Sequence, residues 1–194
     1  MKFASTISKE EIRELPLIVF EGNIHIIDTN EKINEAVTKL NKETLLGFDT
    51  ETRPVFRKGI KHKIALVQLS TETDAYLFRI HKTGLSQALI SIFENPEIIK
   101  IGADINLDIK GLKYIKPFNP KEFKDIQTIA KAHGIENLSL RKLTAIVLQK
   151  RLSKRQQLSN WEKNELSPGQ LHYAATDAYV CIKIYKALIQ DDNE

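Results

Sequence analysis

An α/β fold, a central mixed sheet flanked by helices, is predicted for this chain by two features of its apolar pattern. Short strand-like runs come first, at residues 45–48, 64–69 and 75–78, and the connectors suit an antiparallel meander. After Leu85 helical spacing alternates with short buried runs, as parallel strands joined by helices require. A length of 194 residues suits one domain with a sizeable core.

In chain order, residues 1–21 form a charged lead-in that packs against the domain or stays mobile, and the domain itself is expected over 22–190. Apolar runs at 17–20 and 24–27 surround Glu21, Gly22 and Asn23, which predicts a hairpin turn. Asp28, Thr29 and Asn30 are N-cap candidates for a helix carrying Ile33, Ala36, Val37 and Leu40. The strand at 45–52 follows, then a strand at 64–69, a turn at 71–74 and a returning strand at 75–78. The intervening segment 53–63 is basic, through Arg53, Arg57, Lys58 and Lys61; it reads as a solvated loop or a phosphate contact. Leu85, Ala88, Leu89, Ile92 and Phe93 mark a helix stopped at Asn95-Pro96. A buried strand at 98–101 and a helix through Ile105, Ile109 and Leu112 come next.

A further helix runs from about Asp125 to Gly134, a suitable residue just beyond a helix end. Ser139 caps another, with Leu138 and Leu143 as a hydrophobic staple. Residues 150–160 are polar and carry Lys150, Arg151, Lys154 and Arg155, either solvated or placed for a nucleic-acid backbone. Trp161 is a packing anchor or a stacking platform. Ser167-Pro168-Gly169-Gln170 opens the last helix, with a cap, a proline at the first position and Gln three residues after the cap.

Composition excludes several classes. No apolar run approaches the roughly 20 residues that span a bilayer, and the first residues contain no signal-like apolar segment. One cysteine, Cys181, rules out an intramolecular disulfide framework and zinc-finger spacing. A cytoplasmic chain without a membrane partner is the expectation. The net charge of +4 permits an anionic partner without identifying it.

The chemistry is concentrated in acids. In a strand, Asp49 and Glu51 share one face while Phe48 and Thr50 share the other. Two carboxylates on one face repel unless water or a cation screens them, and magnesium or manganese suits such an oxygen-only site. Asp104 and Asp108, four apart at a helix start, are expected on one helical face. On their own they read equally as acids complementing the helix dipole. Tyr173 and Asp177 are also four apart, among the small residues Ala174, Ala175 and Ala178, which let a helix approach a sheet closely.

Three phrases in order give a resemblance: Phe48-Asp49-Thr50-Glu51, then Gly102 through Asp108 to Leu112, then Tyr173-Ala174-Ala175-Thr176-Asp177. The chain resembles 3′–5′ exonucleases of the DnaQ-like superfamily, in the DEDDy branch that includes ribonuclease D, over roughly residues 22–188. The resemblance implies a ribonuclease H-like fold. It also implies that Asp49, Glu51, Asp108 and Asp177 hold two divalent metal ions (Mg2+ or Mn2+). Asp49 would bridge both ions, Glu51 and Asp177 would complete one site and Asp108 would serve the second. Tyr173 would orient the attacking water. The implied partner is a DNA or RNA 3′ end, shortened one nucleoside 5′-monophosphate at a time.

Within that resemblance two assignments need geometry. Asp108 has the family's spacing to Gly102 and Leu112, so Asp104 is expected to be peripheral. His172 precedes Tyr173, so the chain contains the pattern of the histidine branch as well. At about 100° per residue, Tyr173 lies about 40° from Asp177 and His172 about 140° away, which favours Tyr173. A catalytically silent nucleic-acid-binding module of the same fold and a ribonuclease H-like endonuclease are the alternatives.

Overall fold

The computed structural model describes residues 3–55 and 62–191. Its organising strand is β2 (Leu45–Thr52), and the two faces of β2 carry different chemistry. Phe48 enters an apolar core on one face. On the other face a Cβ added to Gly47 would lie 2.0 Å from the carbonyl oxygen of Ala178, so only glycine fits there.

Among the described residues the sheet has six strands in the order β1-β4-β3-β2-β5-β6. β2, β3 (Ile64–Ser70) and β4 (Asp74–Phe78) form the expected antiparallel meander. β1 (Asn23–Ile27), β5 (Ile99–Gly102) and β6 (Phe123–Asp125) join in parallel, to β4, β2 and β5 respectively. β3 is buried along its whole length, which explains its unbroken apolar run: both faces are covered.

One face is packed by α2 (Asn30–Leu40), α4 (Gln87–Glu94) and α5 (Ile105–Ile115), whose Ile33, Leu40, Leu89, Phe93 and Leu112 surround Phe48. The hydroxyl of Thr29 caps α2, and the hydroxyl of Ser86 caps α4. The other face is crossed by α8 (Pro168–Asp191), with α6 (Ile126–Ala132) and α7 (Leu140–Leu148) packed against it. Gln170 and Ser167 exchange the reciprocal bonds of a capping box, so the start of α8 is set as expected. Ala174, Ala175 and Ala178 are fully buried and let α8 lie close to the sheet.

Three features differ from the sequence expectations. The hairpin around Gly22 does not form: β1 lies parallel to β4, and Asn23 donates to the Thr73 carbonyl at 2.9 Å. Pairing with a strand distant in sequence overrides the local turn signal. The short helix α3 (Ile80–Thr83) and the three-residue strand β6 carry too few residues to show a period. Asp104 is the N-cap of α5 in a left-handed conformation (φ 58°), so it and Asp108 do not share a helical face.

The lead-in is packed down from residue 3, where Phe3 joins the cluster around α6, α7 and α8. Glu136 donates to the Ser5 carbonyl, Ile18 to the Arg151 carbonyl and Phe20 to the Thr176 hydroxyl. Within it, α1 (Lys9–Glu14) buries Ile12, and Phe20 is buried as well.

Candidate active site

β2 pairs with β5 only through Gly47, so the edge of β2 beyond it is free of β5 on that side. Asp49 and Glu51 lie on this stretch, opposite Gln68 and Leu66 of β3, on the face that α8 crosses. Asp177 of α8 meets them there. The three acids each present an oxygen within 4.8 Å of the others. Asp49 and Glu51 are half-buried and Asp177 is 7% exposed.

Such proximity is electrostatically costly. Burial, and after it Asp177 and Asp108, hold the Asp49 carboxyl well above the usual range. Burial followed by Asp49 pushes Glu51 up to about 10. Burial pushes Asp177 up to about 7, opposed by a hydrogen bond donated by the Tyr173 phenol. The group therefore titrates as a unit. Its donors are all hard oxygens and its charges are alike, which fits magnesium or manganese. These three residues could hold such an ion directly.

Asp108 takes a different position. It projects from α5, on the sheet face opposite α8, and accepts a hydrogen bond from the Thr50 hydroxyl. Strand alternation sends Thr50 to that side. Asp108 is therefore outside the three-oxygen group yet close enough to raise both Asp49 and Glu51. Burial raises its own carboxyl to about 6, against the Thr50 bond. Asp104 is exposed and acts on this site only through its charge on Asp108.

Tyr173 lies one helical turn before Asp177 on α8. Its ring packs against Trp161 with centroids 6.1 Å apart, and Trp161 is fully buried, so the tryptophan is a packing anchor. Burial first, then Asp177 and Glu51, hold the Tyr173 phenol above its ordinary value. His172 is exposed and its Nδ1 lies 3.3 Å from the Phe20 carbonyl oxygen, directed to the lead-in.

Sequence spacing does not single out Thr50 as the partner of Asp108, although alternation places it on that side. Nor does it single out Gly47, which admits α8, or the contribution of α1 and the α7 start to the cleft. That cleft has a volume of about 420 Å³ and includes Lys9, Ser139, Arg141 and Lys154 besides Asp49, Glu51, Tyr173 and Asp177. Of the basic residues flagged by the sequence, Arg151 is used structurally, donating through Nε to the Leu15 carbonyl. Arg53 pairs with Glu162 at 3.3 Å; Arg57, Lys58 and Lys61 lie outside the described residues.

Comparison with known proteins gives this chain a family and its fold solved relatives. A family model described as "3'-5' exonuclease" matches residues 24–191. A protein of Arabidopsis thaliana named "3'-5' exonuclease" is 31% identical, over 94% of this chain and 69% of its own length. The mouse protein named "Bifunctional 3'-5' exonuclease/ATP-dependent helicase WRN" is 32% identical, over 90% of this chain and 13% of its own length. The exonuclease domain of Aedes aegypti Nibbler superposes with a TM-score of 0.80 at 26% identity, over 90% of this chain and 91% of that one. Escherichia coli RNase D shares the fold, with a TM-score of 0.77 at 20% identity, over 88% of this chain and 45% of that one.

Proposed function

This chain belongs to the 3′–5′ exonuclease family, and we propose that Asp49, Glu51, Asp108 and Asp177 hold two divalent ions, magnesium or manganese, at the end of β2. The catalytic domain spans residues 22–190, and the products are nucleoside 5′-monophosphates released one at a time. The observation that carries this reading is the convergence of three carboxylate oxygens within 4.8 Å on one face of the free edge. Divalent ions bound there supply Lewis acidity and neutralise the charge developing on phosphate.

The protein's own groups divide the remaining work. Asp49, central to the acids, shares a charge environment with all three others. Glu51 and Asp177 would complete the ion site on its face, and Asp108 would help to hold a second ion. Tyr173 orients the attacking water. It need not act as a strong base, because divalent ions held at these acids would lower the pKa of the water themselves. Trp161 keeps its ring in place.

The substrate is a nucleic-acid 3′ end. A Trypanosoma brucei RNase D of the same fold is known in complex with RNA U12, which supports including RNA beside DNA. No described helix is long and apolar enough to cross a membrane, and a lone buried thiol at Cys181 suits the cytoplasm.

The test is digestion of 5′-labelled single-stranded DNA, recessed duplex DNA and RNA in magnesium or manganese. A ladder shortening by one nucleotide supports the proposal. A discrete internal cut would make the chain an endonuclease. A gel shift without cleavage would make it a silent binding module.

A further inference from the structure

The cleft that holds the carboxylates also holds cations, and the two sets do not meet. Lys9 of α1, Arg141 of α7 and Lys154 of the following loop line the same 420 Å³ space as Asp49, Glu51 and Asp177. Among the described residues none of these cations forms an ion pair with any of the three acids. Cations placed to neutralise the acids would pair with them. These line the same cleft unpaired with the acids, and its volume can take an anion.

Arg141 is the most telling of the set. Its Nε is buried and has no hydrogen-bond partner among the described residues. The residue itself is partly exposed and lines the cleft, and no acceptor among the described residues ties its guanidinium down. It occupies the first turn of α7, whose N-cap Ser139 also lines the cleft and caps no backbone N–H with its hydroxyl. Helix starts favour anions, and guanidinium forks match phosphate oxygens in pairs. The neighbouring Lys142 is different: its Nζ is used by Asn137 at 2.8 Å. Lys9 comes from the lead-in, which precedes the matched family region at residue 24.

We infer that Arg141 and Ser139 at the start of α7, with Lys9 and Lys154, form a phosphate-binding wall. This wall takes a backbone phosphate of the strand whose 3′ end lies on the carboxylates. The inference rests on the exonuclease reading for which end of the strand is bound. It adds that the lead-in is part of the substrate cleft.

The experiment measures binding of a fluorescent single-stranded oligonucleotide by anisotropy across a salt series in EDTA, and KM in magnesium. Arg141→Gln should weaken binding and raise KM by about tenfold, and reduce the slope of log K against log salt by about 0.7, one single-strand phosphate contact. Arg141→Lys should keep the slope while recovering only part of the affinity, because charge survives and the fork does not. Lys9→Gln should reduce the slope similarly. Lys39→Gln, on the outer side of α2, is the charge-matched control and should match wild type. Circular dichroism confirms that each variant is folded. Unchanged affinity, slope and KM in folded Arg141→Gln would overturn the wall, as would a wild-type protein that does not bind in either medium. Arg141-dependent binding without a one-nucleotide ladder would retain the wall and remove the exonuclease proposal.

Discussion

The two faces of β2 are built from alternate residues of one eight-residue strand, and they bear opposite burdens. On one side Phe48 meets Phe93 and Phe123 edge-on in the largest apolar cluster. On the other, Gly47, Asp49 and Glu51 face α8, where like charges crowd and even Gln68 and Ser70 have buried polar atoms without a partner among the described residues. The comparison teaches that stability and chemistry are separated by a single residue step. The apolar face contributes the free energy that lets the polar face hold an unfavourable arrangement of charge.

The strongest test of that separation is Asp49→Ala. In magnesium its turnover should fall about a thousandfold, which corresponds to several kcal/mol of transition-state stabilisation. In EDTA it should melt no lower than wild type, because one of the crowded charges is gone. Wild-type turnover in a folded variant, or a large drop in Tm, would break the division between faces.

Phe48→Ala probes the other side. Urea unfolding should show a loss of about 3–5 kcal/mol, the cost of emptying a buried aromatic site. A loss below about 1 kcal/mol would mean that this face does not support the site.

Tyr173→Phe should lower kcat by about 10–100-fold while the fold is kept, since a positioned proton-handling group is worth at most about 10²–10⁴. His172→Ala should change it less than about twofold. Single-turnover rates at saturating metal measure both, and the reverse ranking would place this chain in the histidine branch.

Acidity separates the faces again. Asp108 and Asp177 have folded values of about 6 and about 7, above their ordinary value of 3.8. The folded state thus holds protons that the unfolded state has released, so stability is present below about pH 4 and is lost as pH rises through about 7. Glu51, at about 10, continues the same trend upward. The metal-free Tm should therefore fall between pH 5 and 8, and manganese should raise it most at the upper end, by mass action. A flat metal-free profile, or no manganese shift at pH 8, would count against the cluster. The smallest effect expected is from Asp104→Asn, below about twofold in rate, against a clear loss for Asp108→Asn. Reversal of that pair would exchange their roles.

Much of this is legible in residues 45–52, 64–78 and 85–112 alone, because strand alternation and helical period are local properties. The pairing of Asp49 with Glu51, the meander, the Ser167–Gln170 helix start and the small-residue face of α8 all follow from spacings of a few residues. Local spacing does not say which distant segment lies alongside. The parallel docking of β1 on β4, where turn residues predict a hairpin, depends on an edge made some fifty residues later. The meeting of Asp177 with Asp49 needs α8 to press against Gly47, and the tie between Asp108 and Thr50 needs α5 to cover the opposite face. Lys9 and Arg141 share a cleft only because the lead-in is bonded to residues 136 and 151. The acids and their spacing are written in the chain; their charge states and partners arise from long-range packing, since burial and proximity exist only after the faces close.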